Sequence, residues 1–266
     1  MAQLRDPDNG CPWDKKQTFD SIISHTIEEV YELIEVIEHK KWDELSGELG
    51  DLLFQVVFYA QIAKEQGYFE FNDIVEEICQ KMERRHPHVF GNEIITSIEQ
   101  QKKRWDEIKA NEKLSQKENT ASLNPSASIL DNINHFLPAL PLANKLQDRA
   151  AKVKFDWIEI EDVFDKLQEE INEVKEAIEL NDSDFIEDEI GDLIFMAVNL
   201  ARHNNVDPEK ALRRSNRKFE QRFRIMESLM AHTNTSFKDL NLNEMETYWQ
   251  QAKKAIRSNI TNSDRC

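Results

Sequence analysis

The stretch from Glu28 to Phe54 recurs 141 residues later, from Glu169 to Phe195, without insertion or deletion. Glu28-Glu29-x-x-Glu32 returns as Glu169-Glu170-x-x-Glu173. Glu48-x-Gly50-Asp51-Leu52-x-Phe54 returns as Glu189-x-Gly191-Asp192-Leu193-x-Phe195, and 12 of the 27 positions are identical. Farther on, Lys81-x-Glu83-x-Arg85 corresponds to Lys218-x-Glu220-x-Arg222 at an offset of 137, and Trp105 to Trp249 at an offset of 144. A repeat of this kind means that one domain is present twice.

Each copy reads as helical. Ile23, Ile27, Val30, Ile34 and Ile37 fall on one helical face, and Leu45, Leu49, Leu52, Leu53, Val56 and Val57 do so in the next segment. The HKKWDE between them is a hairpin turn. Asn72-Asp73 reads as the N-cap of a helix ending before Pro87, and Asp207-Pro208 as a cap followed by proline at the first helical position. Phe155 to Ile158 is a candidate extended piece, but no alternating pattern is sustained. Six glycines and seven prolines in 266 residues are about 5 %, against roughly 12 % in average usage. That scarcity disfavours sandwiches, barrels and glycine-rich nucleotide loops. The expected fold is all-α, two tandem repeats of one helical domain.

The polar, Ser- and Asn-rich stretch NEKLSQKENTASLNPSAS reads as a linker. The expected boundaries are 1–115, a linker at 116–137, and 138–266. Residues 1–115 hold 14 Lys and Arg against 24 Asp and Glu, and the remainder 20 against 27, so both copies are acidic. The net charge of −17 opposes binding to polymeric nucleic acid or anionic lipid, which needs neutralising Lys and Arg. Cys11, Cys79 and Cys266 are odd in number and unpatterned, pointing to a reducing compartment and no zinc. The longest apolar stretch, Leu52 to Ala63, is broken by Gln55 and Gln61, short of the roughly 20 residues of a membrane span. The expected location is the cytoplasm.

The acids form a pattern of their own. In each copy two carboxylates three apart, Glu29 and Glu32 or Glu170 and Glu173, precede two more on the next helix, Glu48 and Asp51 or Glu189 and Asp192. Residues i and i+3 stack on one helix surface. In an antiparallel hairpin the two stacks face each other, and four carboxylates converge. Like charges that close cannot all stay ionised without a counter-charge. An all-oxygen donor set calls for Mg²⁺, with Mn²⁺ as a substitute, and the absence of His from these pairs counts against a di-iron bundle, which wants Glu-x-x-His on two helices. Acids at this spacing are also common on solvated helices. Against that, their neighbours Val30, Leu33, Leu49 and Leu52, and Ile171, Val174, Ile190 and Leu193, are apolar, so the acids are expected to border the core. Gly50 and Gly191, unfavourable inside a helix, hint at the close approach of another group.

EExxE followed by ExxD on paired helices resembles the all-α nucleoside triphosphate pyrophosphohydrolases of the MazG group, with relatives among dimeric dUTPases and phosphoribosyl-ATP pyrophosphohydrolases. LRDPDNGCPWD at 4–14, GELGDLLFQVVFYAQ at 47–61, RRHPHVF at 84–90, FDW at 155–157 and the tandem arrangement resemble the bacterial full-length form over essentially the whole chain. Bacterial relatives carry a short helical segment before LRDP, whereas this chain starts almost at it. The resulting expectation is a trimmed or misassigned start and looser packing of the first domain. The resemblance implies hydrolysis of NTP to NMP and pyrophosphate with Mg²⁺, broad across NTPs and dNTPs, by a homodimer with four-helix arrangements. It implies Glu170, Glu173, Glu189 and Asp192 as principal metal ligands, with Glu29, Glu32, Glu48 and Asp51 as the second copy. Glu169 is a candidate catalytic carboxylate that orients water.

Residues 210–224 form a basic island, with Arg214, Lys218 and Arg222 four apart on one face. By itself this is a solvated stripe, a salt-bridge partner for acidic helices, or a phosphate site. The resemblance implies substrate binding by Lys218 and Arg222, by Lys166 and Glu169, and by Trp249. Lys166 aligns with His25, a weaker phosphate partner at neutral pH, while Lys81 and Arg85 survive in the first copy; the resemblance implies the second copy as the principal catalyst. His86 and His88 flank a helix-terminating proline and read as structural, and Cys11-Pro12-Trp13 as a packed turn. Two other functions fit the same residues: a narrower pyrophosphatase for dUTP, dCTP or a modified nucleotide, and a non-catalytic acidic helical adaptor or nucleotide sensor.

Overall fold

The computed structural model describes residues 1–101, 103–105, 107–108, 112, 128–131 and 133–263, with side chains to 256. Most of the expected linker, 116–137, lies outside these residues. The chain divides into two compact units, Met1–Leu123 and Asn124–Cys266. Among the described residues there is no strand, and no helix is long and apolar enough to cross a membrane.

Unit 1 is built on a hairpin of α1 (Phe19–His39) and α2 (Leu45–Glu65), followed by α3 (Phe71–Arg85) and a short α4 (Pro87–Phe90). Thr18 opens α1 with a capping box, its hydroxyl accepting from Ser21 N and the Ser21 hydroxyl from Thr18 N. Lys40 closes it in the left-handed region, φ 57°, so the chain reverses within HKKWDE as its length requires. α3 starts earlier than Asn72-Asp73 suggests. Glu70 is the cap, and Asp73 accepts from Glu70 N at 2.7 Å. Asp73 is the third helical residue, reaching back to the cap rather than preceding the helix.

Unit 2 comprises α5 (Ala139–Ala151), a second hairpin of α6 (Ile160–Leu180) and α7 (Ser183–His203), then α8 (Pro208–His232) and α9 (Leu242–Ser263). Asp182 caps α7 by accepting from Asp184 N and Phe185 N. Asp207 caps α8 through Lys210 N with Pro208 at the first turn, as its sequence indicates. Phe155–Ile158 is a loop, not a strand. Asp156 is pinned to α7 by Arg202 and by His203 Nε2, the latter at 3.1 Å, so side chains rather than a sheet ladder fix this segment.

Both hairpins bury less than their sequences suggest. In α1 and α2 the core is Ile22, Phe58 and Ile62, while Ile23, Ile27, Val30, Ile37, Leu49 and Leu53 are exposed. In α6 and α7, Val163, Ala177, Met196 and Val198 are buried, whereas Ile171, Ile178, Ile190 and Ile194 are exposed. The acids therefore do not border a buried core through Val30, Leu49, Ile171 or Ile190. The physical reason is that two helices meet along one seam, and a broader apolar stripe needs a further layer.

Candidate metal centre

Glu170 and Glu173 stand one turn apart on α6, and Glu189 faces them from α7. One carboxylate oxygen from each lies within 4.8 Å of the others. Glu170 is buried, 5 % exposed, and the other two are half-buried. Asp192 lies outside this threefold cluster but acts on Glu189 electrostatically. In unit 1 the corresponding cluster is Glu29, Glu48 and Asp51. There Glu32 is the outlying acid, its charge felt at Glu29 and Glu48. Three carboxylates thus converge in each copy, with the fourth beside them.

Their environment resists ionisation. Desolvation, then Asp51 and Glu32, raise the Glu29 carboxyl above its usual range, and desolvation with Glu32 and Asp51 raises Glu48. In unit 2, desolvation with Glu170 and Glu189 raises Glu173. Desolvation with Asp192 and Glu170 raises Glu189. Glu48 Oε2 is also buried without a hydrogen-bond partner.

The counter-charge differs between the copies. Lys166 Nζ sits 2.8 Å from Glu169 Oε1, 2.9 Å from Glu170 Oε1 and 4.0 Å from Glu173 Oε2. Its hydrogen bonds to Glu169 and Glu170 hold the ammonium well above the usual lysine range. In unit 1, His25 points to Glu28 at 3.6 Å and lies edge-on to Trp13. Glu29 instead accepts from the neutral Gln55 amide at 3.3 Å.

Of the expected substrate residues, Lys166 and Glu169 adjoin the carboxylate cluster through the lysine's ion pairs, and Arg222 and Trp249 lie against each other. The Arg222 guanidinium lies 5.9 Å from the Trp249 ring centroid, and Arg222 Nε is buried without a partner. Trp249 packs on Phe219, with ring centroids 5.3 Å apart, and on the Met226, Met230 and Ala252 core. Lys218 is exposed one turn before Arg222 on α8. The main charges acting on Glu173 and Glu189 come from Lys166 and neighbouring acids. His86 bonds to the Met82 carbonyl at 2.8 Å.

Among the described residues neither glycine of the repeat marks a close approach, because a Cβ at Gly50 or Gly191 would meet nothing within 4 Å. Sequence reasoning passed over Gln147, Asn199 and the Asp156–Arg202–His203 bridge. The one available signal was Asn199, polar where the first copy has Phe58.

A pair of helical hairpins, each carrying a convergent carboxylate cluster, defines a duplicated all-α acidic-site protein. The family model for the MazG nucleotide pyrophosphohydrolase domain matches residues 17–90 and again 158–224. The chain is 46 % identical to the nucleoside triphosphate pyrophosphohydrolase of Escherichia coli K12 over 96 % of its length and 94 % of that protein. It is 44 % identical to the nucleoside triphosphate pyrophosphohydrolase/pyrophosphatase MazG of Thermotoga maritima, over 95 % and 92 %. A Mycobacterium tuberculosis nucleoside triphosphate pyrophosphohydrolase matches at 37 % over 53 % of this chain and 40 % of its own. The chain belongs to the MazG nucleotide pyrophosphohydrolase family and is an enzyme of that family.

Proposed function

We propose that the protein hydrolyses nucleoside triphosphates, across NTPs and dNTPs, to the monophosphate and pyrophosphate, with Mg²⁺ as cofactor and Mn²⁺ as its substitute. The observation that carries this reading is the unit 2 cluster, in which Glu170, Glu173 and Glu189 converge around a lysine. The donor set fits a hard divalent cation, being all oxygen, with the Glu173 and Glu189 carboxyls raised by desolvation and by neighbouring acids. Glu170, Glu173, Glu189 and Asp192 would hold it in the principal site, and Glu29, Glu32, Glu48 and Asp51 in the second. Held there, the cation would supply neutralisation of the charge developing on the phosphates.

The remaining roles fall to the chain's own side chains. Glu169, one of whose carboxylate oxygens accepts from Lys166, orients the attacking water. Lys166 turns from the carboxylates to the triphosphate once they have another counter-charge. Lys218 and Arg222 bind the phosphate tail, and Trp249 packs near the nucleotide. The exposed Ile171, Ile178, Ile190 and Ile194 support a homodimer in which a second copy completes a four-helix arrangement. The reducing cytoplasm suits Cys11 and Cys79, which are free thiols. Neither nucleic-acid polymer nor membrane is expected as a partner of so acidic a chain.

The test is incubation with each NTP and Mg²⁺, with products resolved by ion exchange. NMP and pyrophosphate are expected, and loss of both in Glu173→Ala. Nucleoside diphosphate and phosphate as products, or full activity in Glu173→Ala, overturns the proposal.

A further inference from the structure

The carboxylates of unit 2 already face a cation that belongs to the chain. Lys166 Nζ is 2.9 Å from Glu170 Oε1 and 4.0 Å from Glu173 Oε2, two of the three converging acids. Glu170 is 5 % exposed, so little solvent shares in neutralising it. The lysine donates a further hydrogen bond of 2.8 Å to Glu169. Desolvation and neighbouring acids raise Glu173 and Glu189, and Lys166 opposes both.

Among the described residues unit 1 has no such group. After desolvation, the influences that raise Glu29 are Asp51, Glu32 and Glu28, and those that raise Glu48 are Glu32, Asp51, Glu44 and Glu35, acids throughout. His25 stands at the position of Lys166, but its ring lies against Trp13 and its Nδ1 faces Glu28, outside the cluster. Glu29 has the neutral Gln55 amide, and Glu48 Oε2 is buried and unpaired. The two clusters carry the same acids and differ in whether their demand for positive charge is already met.

An ammonium and a divalent cation cannot both stand against Glu170 without strong mutual repulsion. For an ion to enter unit 2, Lys166 has to give up two charge-assisted hydrogen bonds. Its stem is flexible and its side chain is 30 % exposed, so it is able to move, but the charge it carries needs another anion within reach. A triphosphate brings that anion.

We propose that Lys166 stands in for the divalent cation of unit 2, so that this copy loads its cation only together with a triphosphate, whereas unit 1 loads a cation alone. The inference rests on the metal and triphosphate reading above and adds to it the order of loading. In unit 2 each ligand tightens the other by the same factor, because coupling between two binding equilibria is reciprocal.

The probe is Mn²⁺ alone, titrated at pH 8 and followed by electron paramagnetic resonance, which separates free from bound ion. One tight site per chain is expected in the unaltered protein, abolished by Glu48→Gln and kept by Glu189→Gln. Lys166→Met keeps the length of the stem without its charge. It should make the unit 2 site about tenfold or more tighter, the scale of one charge-assisted hydrogen bond, so that a second ion binds. Lys166→Arg keeps the charge and should leave that site weak. Equilibrium dialysis of the unaltered protein with excess α,β-methylene-ATP should retain two ions per chain in place of one. Two equal sites in the unaltered protein without nucleotide, or an unchanged profile in Lys166→Met, overturns the inference and leaves the cation reading standing. The absence of a tight site from the unaltered protein and every variant overturns both.

Discussion

The two hairpins carry the same acids on different supports. In α6–α7 the buried Glu170 is bridged by an ammonium, and the ridge beyond Asp192 borders an apolar cavity. In α1–α2 the equivalent Glu29 meets only a neutral amide, His25 turns to Trp13 and Glu28, and the ridge is closed by Phe58. Phe58 is covered in turn by Trp13, with ring centroids 6.5 Å apart, and by the Arg5 guanidinium at 5.5 Å from its ring. Both copies retain the carboxylates although desolvation and mutual repulsion raise them, while the positions around them differ. One copy invested its seam in packing and the other left room beside its acids.

The sharpest break of this comparison is at the repeat pair Phe58 and Asn199. Phe58→Ala removes a fully buried ring from the Ile22–Ile62 core and should cost about 3–5 kcal/mol in urea unfolding. Asn199→Ala should cost under about 1 kcal/mol, since it removes an acceptor already unpaired. Equal costs would mean that Asn199 holds its seam as firmly as Phe58 holds the other.

Next in size is the division of labour among the acids. Glu173→Ala should lower NTP turnover by about 100-fold or more, the scale of lost charge stabilisation at a reacting phosphate. Glu32→Ala, its repeat counterpart, should leave turnover within about twofold. Similar losses in both would make the copies equal partners, and steady-state pyrophosphate release distinguishes the outcomes.

The helices, both hairpin turns and the carboxylate clusters were legible in the sequence because each rests on spacing: i, i+3 for the acids, a cap and a proline for α8. Burial was not. Ile23 and Ile27 share a face with Ile34, yet a single seam between two helices covers only part of a stripe, so half of the expected core is exposed. Fourfold convergence was also too strong an expectation. Spacing of three places Glu189 and Asp192 on one face, but only Glu189 turns into the cluster with Glu170 and Glu173. The buried amides were invisible because Gln147 comes from α5, outside the repeat, and no sequence period links it to Asn199.

A smaller effect is expected from exchanging the counter-charges. Lys166→His gives unit 2 the residue of unit 1 and should lower kcat/KM by about tenfold at pH 8, one charge-assisted contact's worth. An imidazole is cationic below its ordinary pKa of about 6.5 and neutral above it. The deficit relative to the unaltered protein should therefore narrow as pH falls from 8 to 6. A deficit constant across that range would assign Lys166 a packing role instead of a charged one.

The smallest expected effect concerns an ion pair in unit 1. Arg85, the repeat counterpart of Arg222, is joined to Glu112 at 2.7 Å, and Arg84 reaches the same carboxylate at 2.9 Å. The Arg85 hydrogen bond is the main cause that lowers the Glu112 carboxyl to about 2 from its ordinary 4.5. A depressed acid stabilises the fold above its unfolded pKa and loses that contribution as pH falls through the folded one. Glu112→Gln should therefore cost about 1 kcal/mol at pH 7, with the two stability curves converging as pH falls from about 4.5 toward 2. In the Glu173→Ala background the same substitution releases Arg85 but leaves His25 in place, and no turnover should return. Recovered turnover would show that this ion pair, and not the histidine at the lysine's position, limits the first copy.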